Sequence, residues 1–273
     1  MKMTRHGICL LAIVVCALAS LAVPVQAAVV PLPIAHYTFD TDFTDSSPSG
    51  NDLVTVAGKG TPAITSAAAD VVFGGGALDL DSTTSTNEYL NLTSAVTLAN
   101  NTAWSISFWA KRRSTADYRT GMIVGDVSNT SSFIWIPDNS SQVQGVRFRN
   151  TASSTANFDF PAGADDRQWH HWVLIADGQG HLTAYRDDQL VAPKLPIPST
   201  DTSLKITSVG MGYTGTVQDM NGQIDELWIF NTALDLTQVH SLYTTNTVPE
   251  PATLALLAAG GLGILARRRR TAR

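Results

Sequence analysis

The chain has 273 residues, of which 44% are hydrophobic and only 15% are charged, against roughly 25% charged residues in an average soluble domain. This length supports one sizeable hydrophobic core with segments left over at the ends. Residues 28–247 contain 22 acidic and 11 basic residues. A segment with this balance is repelled by nucleic-acid phosphates, which argues against nucleic-acid binding.

The first 27 residues have the organisation of a secretory signal peptide. Lys2 and Arg5 precede an apolar stretch at 8–23, Pro24 ends that stretch, and small residues follow up to Ala27. We expect cleavage after Ala27, which places the next domain outside the cytoplasm; an uncleaved anchor is the alternative. Both cysteines lie in the apolar stretch, so the exported domain is expected to rely on its core rather than on a disulfide.

Short strand-like runs recur through residues 28–247, separated by clusters of Gly, Pro, Asn, Asp and Ser. This pattern predicts an all-β domain, an antiparallel two-sheet jelly-roll sandwich. The expected strands are 34–39, 53–56, 77–80, 89–92, 104–110, 122–125, 133–136, 143–149, 169–176, 182–186, 206–210 and 222–230. One short helix should follow, capped by Asp235 with Gln238 three residues later and burying Val239 and Leu242.

Five blocks of this region occur in an order typical of a known family. They read AHYTFD at 35–40, FGGGAL at 73–78, WSISFW at 104–109, WHHWV at 169–173 and NGQIDELWIFN at 221–231. Together they resemble LamG-like domains of the concanavalin A-like lectin/glucanase type, and the resemblance covers most of residues 33–243. It implies the same two-sheet sandwich.

The last of these blocks carries the residues on which hydrolysis would depend. Glucanases that this domain resembles carry Glu, Asp and Glu at alternate positions of one strand, where two carboxylates flank the glycosidic bond. Here Gln223 occupies the first position, and no second Glu lies two residues beyond Asp225. Asp225 and Glu226 are adjacent and should face opposite sides of a regular strand. We therefore interpret the chain as non-catalytic, with no catalytic residues.

Other titratable residues have a plainer interpretation. The aspartate pairs at 165–166 and 187–188 occur in apparent turns and are interpreted as solvated turn residues. His170 and His171 are neighbours on an expected strand, so their side chains should face apart.

The resemblance also implies a structural calcium ion, the one cofactor that we expect. Related sandwiches hold calcium between the first strand, a nearby turn and an aspartate of the closing strand. The matching residues are Asp225, Asp40 and Asn51, which offer the oxygen ligands that calcium prefers.

A second expected ligand is a glycan or extracellular polysaccharide. Sugars stack on exposed aromatic rings, and three aromatic residues lie in or beside polar loops: Trp135, Tyr118 and Tyr213. These residues are the candidate ligand-binding side chains.

The C-terminal tail, 248–273, has three elements in order. Val248, Pro249, Glu250 and Pro251 precede an apolar run at 252–266, and the basic cluster Arg267, Arg268, Arg269 and Arg270 follows it. As a helix the run would be about 22 Å long, short of the ~30 Å hydrocarbon core unless the arginines snorkel. The arginines should stay cytoplasmic, in agreement with an exported domain.

The tail resembles the PEP-CTERM sorting signal of Gram-negative bacteria; a plain single-span anchor is the alternative. The resemblance implies processing by an exosortase near the Pro-Glu-Pro motif. The chain would be anchored transiently in the inner membrane through its C-terminal helix and then reach the cell envelope or the extracellular polysaccharide matrix.

The sequence thus predicts an exported, non-catalytic LamG-like binding or adhesion protein. Two alternatives stay open: a glycoside hydrolase on the same fold, and a purely structural envelope or matrix protein.

Overall fold

A computed structural model describes residues 29–82, 87–113, 121–128, 132–136, 145–150, 155–159, 166–197, 203–211 and 219–246. The predicted signal peptide and sorting tail therefore lie outside the described residues. The strands are β1 (Ala35–Tyr37), β2 (Leu53–Thr55), β3 (Ala63–Thr65), β4 (Ala77–Asp81), β5 (Leu90–Ala99), β6 (Ala103–Arg112), β7 (Met122–Gly125), β8 (Phe133–Trp135), β9 (Gly145–Arg149), β10 (Thr155–Asp159), β11 (His170–Asp177), β12 (His181–Arg186), β13 (Gln189–Pro196), β14 (Ser203–Val209) and β15 (Asn221–Phe230). A 3-10 turn spans Ala68–Asp70, and helix α1 spans Leu236–Thr244.

The strands form two sheets, as the sequence predicts. Sheet A has the order β13-β12-β11-β6-β15-β4-β3. Strand β1 also pairs with β15, on the edge that faces away from β6. Sheet B has the order β10-β9-β8-β7-β14-β5-β2. Every strand pair described is antiparallel. The result is an all-β sandwich, and the prediction of the fold class is confirmed.

The core lies between the two sheets because side chains alternate along each strand. In β6, Trp104, Ile106 and Phe108 enter the core and are fully buried. Ser105 and Ser107 lie on the opposite face of the strand, which is also buried. Sheet A is therefore covered on both faces.

Helix α1 covers part of the outer face of sheet A, together with residues 29–32, which we call the strap. Val239 and Leu242 of α1 pack with Trp228 and Phe230 of β15 in a second apolar cluster, which also contains Val30 of the strap. The helix begins with the capping box that its sequence predicts. The Asp235 carboxylate accepts a bond from the Gln238 amide, and the Gln238 side chain accepts one from the Asp235 amide.

Three strands were not predicted: β3, β10 and β13. Strand β13 contains two prolines, which disfavour a central strand because proline donates no ladder hydrogen bond. It lies at the edge of sheet A, where a missing donor can be tolerated. Among the described residues, no helix has both the length and the hydropathy needed to cross a membrane.

Candidate functional site

Charged side chains from two neighbouring strands meet at one rim of the sandwich. We call this group the rim cluster and define it as Asp166, His170, Arg186 and Asp187. His170 lies on the core-facing side of β11, one alternation before the buried Trp172. Arg186 pairs with Trp172 across the strands, and its guanidinium centre lies 5.3 Å from the centre of the Trp172 ring. The cluster therefore closes this end of the core.

A two-residue hairpin turn brings Asp187 into the cluster. Strand β12 ends at Arg186 and β13 begins at Gln189. Asp187 and Asp188 between them have φ angles of 50° and 64°, as in a type I′ turn. Aspartate tolerates this left-handed conformation better than most residues.

Hydrogen bonds fix His170 between two carboxylates. Its Nδ1 lies 2.6 Å from Oδ2 of Asp187, and its Nε2 lies 2.9 Å from Oδ1 of Asp166. The guanidinium of Arg186 also contacts Nε2 of His170. Asp166 is 43% exposed and Asp187 is 32% exposed, so polar atoms of the cluster remain within reach of a ligand.

Hydrogen bonds within the rim cluster shift the pKa values of His170 and Asp166. Burial opposes a charge on His170, but its hydrogen bonds to Asp187 and Asp166 outweigh burial and raise the pKa of His170. Burial also opposes the charge on Asp166, yet bonds from His170 and from the Gln168 amide lower the pKa of Asp166. Ionisable groups with shifted pKa values and a shared partner are candidates for a functional site.

The sequence interpretation missed this group because it treated Asp166 and Asp187 as solvated turn residues. The prediction that the two histidines face apart is correct. His171 lies on the outer face, where Nε2 is 2.8 Å from Oγ of Ser107. Burial lowers the pKa of His171 to about 3, so it stays neutral. The four-residue spacing of Asp166 and His170 was a signal that the sequence offered. It indicates a site only when the turn at 187–188 is known to bring Asp187 to the same histidine.

The carboxylates of the closing strand lie on the outer face of sheet A. Asp225 is fully buried, and its Oδ2 accepts bonds from the Val72 and Phe73 amides at 2.9 and 3.2 Å. Glu226 is 4% exposed, and its Oε2 lies 2.8 Å from Nε2 of His36. Asp225 thus fastens residues 72–73 to the sheet, and Glu226 links β15 to the neighbouring strand β1.

The expectation that Asp225 and Glu226 face opposite sides is wrong. The register of β15 against β6 shifts between Asp225 and Trp228, which marks a β-bulge. Glu226 occupies the bulge with a φ of 51°. His36, the partner of Glu226, stacks on Trp228 of the outer face, so the bulge has turned Glu226 to the same side as Asp225.

Burial dominates the chemistry of Asp225. Desolvation raises the pKa of Asp225 to about 7, and the neighbouring charge of Glu226 adds to the rise, although the two amide bonds oppose it. The buried Oδ1 of Asp225 has no hydrogen-bond partner among the described residues.

The predicted calcium ligands are not brought together as one set. Asp225 belongs to sheet A, whereas the side chain of Asn51 bonds to Thr93 and Ser94 of sheet B. Oδ1 of Asp40 accepts a bond from the Gly75 amide. In the portion of the chain that the structure describes, no group of three or more His, Cys, Asp or Glu residues could hold a metal ion. Calcium binding by Asp225, Asp40 and Asn51 stays a prediction.

The predicted sugar-stacking residues are located as follows. Trp135 is only 3% exposed, packs with Met122 and Phe133, and has the Arg147 guanidinium 5.4 Å from its ring centre. Its ring is therefore not the open platform that the sequence suggested, because β8 turns it into a packed cluster. Tyr118 and Tyr213 lie outside the described residues, as do the sorting residues Val248, Pro249, Glu250, Pro251, Arg267, Arg268, Arg269 and Arg270.

Two family models match the sequence. One, described as the concanavalin A-like lectin/glucanases superfamily, matches residues 84–240, more than half of the chain. The other, described as a PEP-CTERM protein-sorting motif, matches residues 247–270. The two matches together indicate an exported protein. No curated protein matches the sequence.

Solved structures with the same fold include sugar complexes. Domain 4 of AbnA, an extracellular GH43 arabinanase from Geobacillus stearothermophilus, in complex with arabinotriose, is 20% identical, with a TM-score of 0.54 over 78% of this chain and 98% of that one. The binding domain of botulinum neurotoxin DC in complex with SialylT is 17% identical, with a TM-score of 0.58 over 81% of this chain and 53% of that one. The chain therefore spans about half of the neurotoxin binding domain. At these identities the likeness establishes the fold.

Proposed function

Because the chain belongs to the concanavalin A-like lectin/glucanases superfamily and carries a PEP-CTERM sorting motif, we propose that it is an exported, non-catalytic glycan-binding or adhesion protein. The glycan is bound at the rim cluster. The chain is sorted by an exosortase to the cell envelope or the extracellular polysaccharide matrix.

The rim cluster is the observation that carries the binding role. Sugar hydroxyls are both donors and acceptors, and the cluster offers the carboxylates of Asp166 and Asp187 beside the guanidinium of Arg186. Stacking on Trp172 and ion pairs with Asp166 and Asp187, at 3.7 and 3.6 Å, hold that guanidinium in place, which lowers the entropic cost of binding. The arabinotriose complex of AbnA domain 4 supports sugar binding as a use of this fold.

The state of the closing-strand carboxylates supports a non-catalytic role. A general acid or nucleophile must reach the glycosidic bond. Asp225 and Glu226 are buried; Asp225 bonds to the amides of residues 72 and 73, and Glu226 bonds to His36 of β1. Their bonds favour a structural role over a catalytic one.

Binding can be tested with a matched pair of variants. We expect Asp166→Ala to weaken binding of the best oligosaccharide from a glycan array by about tenfold or more, since a lost charged hydrogen bond costs about 1.5–3 kcal/mol. Asp177→Ala is the control, because Asp177 pairs with His181 at the same four-residue spacing at the other end of β11. Isothermal titration calorimetry measures both affinities.

Three results would contradict the proposal in different ways. Equal losses in the two variants would remove the rim cluster as the site. An array without hits would favour the purely structural role. Release of reducing sugar in a polysaccharide-turnover screen would favour a glycoside hydrolase.

Sorting gives a separate prediction. We expect the chain produced in a host with an exosortase to lose its arginine-rich end, because the motif at 247–270 is the processing signal. Mass spectrometry of the protein from the envelope and the medium should find a C-terminus near Pro249–Pro251. Replacing Pro249, Glu250 and Pro251 together by alanine should preserve the full-length chain, and unchanged processing of that variant would contradict this part of the proposal.

A further inference from the structure

The folded domain holds its own chain up to the start of the sorting motif. Tyr243 near the end of α1 stacks on Trp109, with ring centres 5.6 Å apart. Two residues past the helix, Oδ1 of Asn246 accepts a bond from Nε1 of Trp228 at 3.1 Å. The sorting motif begins at residue 247, so hardly any linker separates it from the last anchored residue.

This short connection limits how far the domain can stand from a bilayer that holds the tail. The apolar run begins at residue 252, six residues beyond Asn246. Six residues reach at most about 20 Å when fully extended. That distance is comparable to the thickness of half a bilayer, so one side of the domain must stay close to the membrane surface.

The side concerned consists of the strap and the helix. We call it the α1 face and define it as residues 29–32 with residues 236–246. Nε2 of Gln238 donates to the Val29 carbonyl at 2.9 Å, and Val30 is buried against α1. The helix has nine residues and is about 13 Å long, so the whole face lies near the point where the chain leaves the domain.

This face exposes large apolar side chains. Val29, Leu32 and Leu236 are 49%, 62% and 65% exposed. Of the two other comparably exposed large hydrophobic residues of the described chain, Val54 lies on β2 of sheet B. Leu190 lies opposite Tyr185, which packs against the same apolar cluster as α1. Exposed apolar groups that are gathered on one face indicate an interaction surface.

The charge of the α1 face fits a lipid surface. The domain as a whole is strongly acidic, and an anionic bilayer repels such a protein. Within residues 29–32 and 236–246 there is no Asp, Glu, Lys or Arg, and His240 pairs with Asp188 at 2.7 Å. Electrostatic repulsion from the bilayer is therefore small at this face, where the carboxylates of Asp188 and Asp235 lie at the border.

We propose that, before processing, the α1 face lies against the outer surface of the inner membrane, with Leu32 and Leu236 in contact with the lipid headgroup region. This inference rests on the proposed anchoring of the tail in that membrane. The contact can be weak in itself because the tether keeps the local concentration of the bilayer high.

Spin labels can test the orientation on the chain from residue 28 to its C-terminus. The two cysteines lie before residue 28, so single cysteines can be placed at Leu32 and Leu236, and at Val54 on sheet B as the distant control. The labelled proteins are inserted through their tails into nanodiscs of phosphatidylcholine and phosphatidylglycerol. A relaxation agent attached to the lipid headgroups then reports each label's distance from the bilayer.

We expect relaxation to be several-fold stronger at Leu32 and Leu236 than at Val54, with melting temperatures alike in all three proteins. Equal relaxation at the three positions in loaded nanodiscs would overturn the orientation and leave the anchoring intact. Failure of every variant to enter nanodiscs would overturn the anchoring itself. Contact with a second copy would appear as label–label broadening that persists without lipid, and it would also overturn the proposal.

Discussion

Replacing Asp45 with alanine will destabilise the domain by about 3–5 kcal/mol, a large part of the 5–15 kcal/mol that typically stabilises a folded domain. The Asp45 carboxylate is 8% exposed and accepts four hydrogen bonds, each of 2.8–2.9 Å. The donors are the amides of His36, Ser47 and Asn51 and the Ser47 hydroxyl. Each donor left unpaired by the substitution costs roughly 1–3 kcal/mol, and partial access of water limits the sum.

The loss will spread beyond the loop because Asp45 connects it to both sheets. The His36 amide belongs to β1 of sheet A, and Asn51 bonds to Ser94 of sheet B. Chemical denaturation of the wild type and the variant measures the difference. Asp42→Ala is the matched control, since exposed Asp42 bonds only to adjacent threonines of its own loop among the described residues and its loss should cost less than about 1 kcal/mol. Similar losses in the two variants would show that the Asp45 bonds do not hold the sandwich together.

Replacing Asp219 with asparagine will stabilise the domain at pH 8 and leave its stability almost unchanged at pH 4. Asp219 is 1% exposed, and neither of its carboxyl oxygens has a hydrogen-bond partner among the residues that the structure describes. Burial raises the pKa of Asp219 from 3.8 to about 7, although the charge of Lys59 opposes the rise. The folded chain therefore keeps this proton over a range in which the unfolded chain has lost it.

Proton linkage gives the direction in which the free energy of unfolding changes with pH. Between about pH 4 and pH 7 the folded state binds more protons at this residue, so the wild-type free energy of unfolding falls as the pH rises through that range. A shift of about three units corresponds to roughly 4 kcal/mol. Asparagine has no proton to lose, so it removes this fall. Denaturation curves at pH 4 to 8 measure it, with the exposed Asp81→Asn as the control that should show no such gain. A stability difference between the wild type and Asp219→Asn that does not change with pH would refute the argument.

Local sequence patterns were sufficient for regular elements. Short apolar runs between turn residues located most of the strands, and the spacing of Asp235 and Gln238 located the start of α1. Local patterns failed where pairing with a neighbouring strand determines the direction of a side chain. The bulge at Glu226 depends on the register against β6, which residues 221–230 do not encode by themselves.

The candidate site also depends on contacts that local sequence patterns do not contain. Sequence reasoning selected Trp135 as an exposed aromatic residue because polar loops flank it, but β8 packs its ring beneath Arg147. It set aside Asp166 and Asp187 as turn residues, yet the hairpin turn brings Asp187 to His170, and Asp166 reaches His170 from the segment before β11. Exposure and proximity depend on contacts between residues far apart in the chain, so these two assignments required the fold.

By itself, the sequence determined the sandwich class, the helix cap, the family and the presence of a sorting motif, because each depends on residue types at short and fixed spacings. Only the tertiary structure decided that Asp225 and Glu226 share one covered face, that the rim cluster exists, and that α1 lies beside the exit of the chain. Those features arise from strand register and from side-chain burial, which are set by the lowest free energy of the whole fold rather than of any segment.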